Sequence, residues 1–113
     1  TITMKGIDGA RQIAELMDKL RKNPPKAFGT RKVLKFRDYL NDRIVDMESG
    51  AETTTGLPKS NVLYFELPDD EWCCARPSGT EPKIKFYMGV KGSSLEDAKA
   101  RLEQLTEDLK AEL

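Results

Sequence analysis

Lys83-Ile84-Lys85-Phe86-Tyr87-Met88-Gly89-Val90 carries the cleanest alternation in the sequence. Ile84, Phe86, Met88 and Val90 fall on one face and Lys83, Lys85 and Tyr87 on the other, the period of a strand with one buried side. Working outward, Trp72 to Arg76 and Asn61 to Leu67 read as two further strands, joined by the turn signal Pro68-Asp69-Asp70. Lys32 to Asp38 reads as another, with Leu34 and Phe36 on one face and Lys35 and Arg37 on the other. A weaker alternation predicts a short opening strand over Ile2 to Lys5. From about Leu40 to Ser60, Gly50, Thr53-Thr54-Thr55, Gly56 and Pro58 predict an irregular connection, long enough to suggest a role of its own.

Two amphipathic helices frame these strands. The first is predicted from Asp8 or Gly9 to Lys22, with Asp8 as N-cap and Asn23-Pro24-Pro25 as its stop. Ile7, Ala10, Ile13, Ala14, Met17 and Leu20 form its apolar stripe. The second starts at Ser94, where Asp97 three residues on completes a capping-box signature. Leu95, Ala98, Leu102, Leu105 and Leu109 are its expected core face. Together the elements predict an α+β, two-layer sandwich: a mainly antiparallel sheet of four to five strands with two helices on one face.

The chain has 113 residues, enough for one domain with a core of its own. Lys plus Arg and Asp plus Glu stand at 19 each, so no net field draws in nucleic acid. No apolar run approaches a membrane span and no signal-peptide pattern opens the chain, so no membrane partner is expected and the cytoplasm is the expected compartment. The opening Thr1-Ile2-Thr3, with no initiator methionine, fits an excised fragment. Cys73 and Cys74 are adjacent in a strand, point to opposite faces and are expected as free thiols. With no histidine, no metal cluster of the usual spacing is visible. The basic pairs Arg21-Lys22 and Arg31-Lys32 read as solvated faces.

Between the last two strands stands Arg76-Pro77-Ser78-Gly79-Thr80-Glu81-Pro82. Its inventory suits a phosphate monoester: a guanidinium fork, two hydroxyls, and amides left bare at a glycine. Pro77 and Pro82 bracket the turn and restrict it before any ligand arrives. Two accounts stand on composition alone. One is a purely structural Ser-Gly turn in a free-standing α+β binding or interaction module, with Arg76 solvated or paired to a surface carboxylate. The other is an anion site, which Lys85 favours by projecting from the next strand on the same side as Lys83. Glu81 reads either as a general base or as a support for Arg76 or the turn, and the second is favoured because a carboxylate beside a bound phosphate would repel it. Trp72 and Tyr87 read either as packing or as platforms for a sugar.

The wording from Arg76 to Tyr87 closely resembles the phosphate-binding loop in the C-terminal domain of the α-D-phosphohexomutases, the phosphoglucomutase/phosphomannomutase family. Gly56-Leu57-Pro58-Lys59-Ser60-Asn61-Val62-Leu63 also resembles the approach to the preceding strand in phosphoglucomutases. The resemblance implies a TBP-like fold with the order β-α-β-β-β-β-α, and a single domain over residues 1–113. It implies the fourth, phosphosugar-binding domain of a larger mutase, gripping the non-transferred phosphate during transfer between C1 and C6. The matching phosphate contacts are Arg76, Ser78, Gly79 and Thr80. Lys85 stands where many members have arginine, which keeps the charge and loses the bidentate fork. Lys83 and Glu81 are accessory positions. The implied partners are glucose or mannose 1- or 6-phosphate and the N-terminal domains of the same chain. Those domains would supply the phosphoserine and hold Mg²⁺, leaving this one without catalytic residues, metal or cofactor and the isolated 113 residues inactive.

Overall fold

A computed structural model describes residues 9–78 and 83–112. The expected strand at Ile2 to Lys5 and the Asp8 cap lie outside the described residues. From there the order is α1 (Gly9–Lys22), β1 (Ala27–Phe28), β2 (Arg31–Lys32), β3 (Lys35–Asp38), β4 (Arg43–Asp46), β5 (Glu52–Thr53), β6 (Leu63–Glu66), β7 (Trp72–Pro77), β8 (Ile84–Gly89) and α2 (Leu95–Ala111). β1 and β2 form a small hairpin, and the other strands make one antiparallel sheet in the order β5-β4-β3-β6-β7-β8. The architecture is the expected α+β sandwich, with a sheet of six strands where four to five were expected.

The extra width comes from the 40–60 stretch, which holds β4 and β5 rather than an irregular connection. Asp46 caps their turn, its carboxylate accepting from the Glu48 and Ser49 amides at 3.0 and 3.1 Å. Asp42 fixes the return of the chain by accepting from the Thr55 amide at 2.8 Å and from its hydroxyl at 2.5 Å. Those hydrogen bonds hold the Asp42 carboxyl below the usual carboxylate range.

Register decides which sheet face is buried. Phe36 pairs with Phe65 and Phe65 with Cys73, while Leu63 pairs with Ala75 and Ala75 with Phe86. These residues are all buried and share a core with Ile13, Leu16, Met17 and Leu20 of α1 and Leu105 and Leu109 of α2. Both helices therefore cover the same face. Phe65 sits at the centre, with Phe28 edge-on at 5.2 Å and Phe36 tilted at 5.3 Å.

Three expected faces are corrected. In α1 the buried stripe takes Leu16, and Ala14 is exposed. One residue is about 100° of helix rotation, which carries Ala14 off the stripe centred between Ile13 and Leu20. The strand expected over Lys32 to Asp38 is broken between Lys32 and Lys35, so Val33 is buried and Leu34 is 45% exposed. Here Val33 bonds back to Lys26, whereas Leu34 bonds to Glu66, shifting the pattern by one residue. In α2 only Leu105 and Leu109 are buried; Leu95 and Leu102 continue the stripe but stay exposed. The Ser94 cap is present, accepting from the Asp97 amide at 3.1 Å, and the Asp97 carboxylate returns to the Ser93 amide at 2.9 Å.

The basic pairs are also corrected. Arg21 and Arg31 are not solvated: each reaches a buried carboxylate. Arg21 donates to Asp38 at 3.1 Å, and Asp38 also accepts from the Asn41 side chain at 2.7 Å. Arg31 donates to Glu71 at 3.0 Å, where Arg101 adds bonds of 3.0 and 3.1 Å. Burial alone would push the Glu71 carboxyl up, but the hydrogen bonds from Arg101 and Arg31 outweigh it and leave it below the usual range. Lys22 and Lys32 remain exposed, as expected.

Candidate functional site

The open face of the sheet is set by the same register. Since Ala75 and Phe86 point into the core, their strand neighbours Arg76 and Lys85 point away from it. β7 and β8 pair Arg76 with Lys85 and Pro77 with Ile84. The Ser78 amide then donates to the Lys83 carbonyl at 2.8 Å. Pro77 is tolerated because its missing N–H faces the β6 side, and the pairing with β6 ends earlier, at Leu63 and Ala75. Of the expected site residues, Gly79 and Thr80 and the accessory Glu81 lie outside the described residues, as does Pro82.

Of the remaining expected residues, Arg76, Ser78 and Lys85 come together and Lys83 does not. Arg76, Pro77, Ser78, Lys85 and Tyr87 line one shallow cleft of about 230 Å³. Arg76 and Lys85 are exposed, and neither side chain makes an ion pair or hydrogen bond with a described residue. Lys83 is half-buried beside the closing rung and is not among the cleft-lining residues. The charge of Arg76 is felt locally. Burial raises the Cys74 thiol, and the guanidinium on the same strand works against that rise. Cys73 is buried and Cys74 half-buried, both as free thiols, and burial pushes the Cys73 thiol far up.

The two aromatic candidates separate. Trp72 stacks on Tyr64 at 5.5 Å with an interplanar angle of 14°, and Arg37 sits over the Tyr64 ring at 5.7 Å. Tyr87 instead lines the cleft, and its side chain has neither a ring partner nor a hydrogen bond among the described residues. Arg37 is also paired with Glu66. An anion approaching the open face therefore meets Arg76 and Lys85 as the cations with no described counter-ion at the cleft.

A larger cleft of about 400 Å³ lies elsewhere, lined in part by Arg31, Glu71 and Arg101. Its charges already satisfy one another, so it offers no pair of unmatched cations to a ligand. Among the described residues no three His, Cys, Asp or Glu side chains converge on a metal position, and no helix is long and apolar enough to cross a membrane.

What the sequence did not reveal is the direct opposition of Arg76 and Lys85, since register depends on the loop between them. The buried carboxylates Asp38 and Glu71 were missed as well. The arginine partner of Asp38 lies 17 residues away and those of Glu71 lie 40 and 30 residues away, so no local pattern announces them.

Comparison with known proteins agrees with the loop wording. No family profile matches the chain, and no solved structure matches it. The chain is 35% identical over 100 residues to phosphoglucomutases of Staphylococcus aureus strains bovine RF122 and USA300. It is 33% identical to that of strain N315 over the same length. Each alignment covers 88% of this chain and 18% of the relative, so the chain spans less than one fifth of the curated relatives it matches. The chain belongs to the phosphoglucomutase family, matching one domain-sized segment of those enzymes.

Proposed function

We propose that this domain grips the phosphate that is not being transferred when a larger phosphohexomutase moves a phosphoryl group between C1 and C6 of a hexose. The observation that carries the proposal is the Arg76–Lys85 rung, two outward cations with no counter-ion among the described residues, beside a cleft that Ser78 also lines. A guanidinium fork reads two phosphate oxygens at once, and an ammonium adds a mobile point charge. Gly79 and Thr80 would complete the set with a bare amide and a hydroxyl, and Lys83 and Glu81 would serve as supports.

The role in catalysis is positional. Holding the remote phosphate supplies binding energy that orients the reacting end. Because the bisphosphorylated intermediate must turn round between half-reactions, the grip has to take either phosphate, which suits a site reading charge and shape. Glucose 1- and 6-phosphate are the first substrates to test, and mannose phosphates the second. In this reading Mg²⁺ and the phosphoserine belong to other domains of the same polypeptide. The 113 residues alone are expected to lack mutase activity, and the full enzyme is expected in the cytoplasm.

Calorimetric titration of the domain with inorganic phosphate tests the proposal. Binding on the order of millimolar is expected, worth only about 4 kcal/mol, and Arg76→Ala should abolish it. Unchanged affinity in Arg76→Ala, or no uptake by the wild type, would overturn the reading.

A further inference from the structure

We propose that Tyr87 is a platform for the sugar ring of the gripped phosphosugar, so that this domain senses a pyranose as well as a phosphate. The inference rests on the anion-site reading and adds a specificity residue to it.

Tyr87 and Lys85 alternate on β8, both directed to the open face, and residues two apart on a strand stand about 7 Å from each other. A ligand phosphate held between Arg76 and Lys85 therefore leaves its organic part within reach of the Tyr87 ring. Tyr87 is 36% exposed and lines the same cleft. Exposed aromatic surface beside a polar site is suited to the C–H face of a sugar, which is apolar, while the sugar hydroxyls stay in water.

The other open-face rings are already engaged. Trp72 and Tyr64 stack on each other, and the Trp72 indole also lies against Gly89, so close that a Cβ there would meet Nε1 at 2.2 Å. Tyr87 is left as the ring without a ring partner at the cleft among the described residues.

The test titrates the domain with inorganic phosphate, glycerol phosphate and glucose 1-phosphate, in wild type, Tyr87→Phe and Tyr87→Ala. Wild type should take glucose 1-phosphate about threefold to tenfold more tightly than glycerol phosphate. Tyr87→Phe should keep that preference. Tyr87→Ala should lose it while its affinity for inorganic phosphate stays unchanged. An undiminished preference in Tyr87→Ala, or a wild type with no preference, overturns the platform but leaves the anion site standing. Equal weakening of all three ligands in Tyr87→Phe also overturns it, because the phenol would then be a phosphate donor. A wild type that binds none of the three overturns both readings.

Discussion

Arg76 and Lys85 stand directly opposite each other across β7 and β8, two cations on one rung of the sheet. Like charges opposed in this way weaken an antiparallel pair by up to about 1 kcal/mol. The fold bears that repulsion without a counter-ion among the described residues. Lys85→Gln should therefore unfold in urea at the same midpoint as wild type, or later by up to about 1 kcal/mol, while its affinity for phosphate falls. If stability drops along with binding, Lys85 serves the sheet rather than a ligand.

The Glu71 carboxylate is buried and holds both Arg31 and Arg101. Removing one partner of such a pair strands the others, at about 3–5 kcal/mol when the site is dry. Because the group borders an open cleft and Arg101 is a third exposed, Glu71→Ala should lose less, about 1–3 kcal/mol, in a denaturant melt, and Glu71→Gln less again.

A pH series on the same variants follows from the direction of the Glu71 shift. Its folded pKa is depressed, so its contribution is present above the ordinary glutamate value and is lost as pH falls through the folded one. Wild type should therefore lose stability more steeply on acidification than Glu71→Gln. Parallel acid limbs for the two proteins would count against the assignment.

Gly89 lies opposite Trp72 in the register, and a Cβ added there would lie 2.2 Å from the indole nitrogen. The indole is held by its stack on Tyr64, so it has little room to yield. Gly89→Ala should cost about 1–3 kcal/mol and shift the emission of the single tryptophan. Unaltered fluorescence and stability would show that the ring moves aside freely.

Ser94 caps α2 through the Asp97 amide. Ser94→Ala should lower stability by about 1 kcal/mol, measured as a shift in urea midpoint at constant slope.

The legible parts of this fold are those governed by local periodicity. The β8 alternation and the Ser94 cap can be read from neighbouring residues, because one side chain in two, or one hydroxyl before a helix, is enough to mark them. β5 is Glu52–Thr53, both exposed, and every residue of β4 is only half-buried, so neither strand carries an apolar face to announce it. The break before β3 hides inside the consecutive apolar pair Val33-Leu34, where either phase looks acceptable. At the site, residue types were legible and pairings were not. Arg76 and Lys85 each mark a cation, but only the closing of the hairpin makes them one rung.

Both helices and the phenylalanine cluster press on one side of the sheet, while Arg76, Lys85 and Tyr87 occupy the other. If the proposed grip holds, architecture and recognition are written on opposite sides of the same strands, in alternate letters. In the proposed reading, substitutions at Arg76, Lys85 and Tyr87 can retune ligand choice without disturbing what keeps the domain assembled, which gives such a domain latitude to diverge in preference while holding its shape.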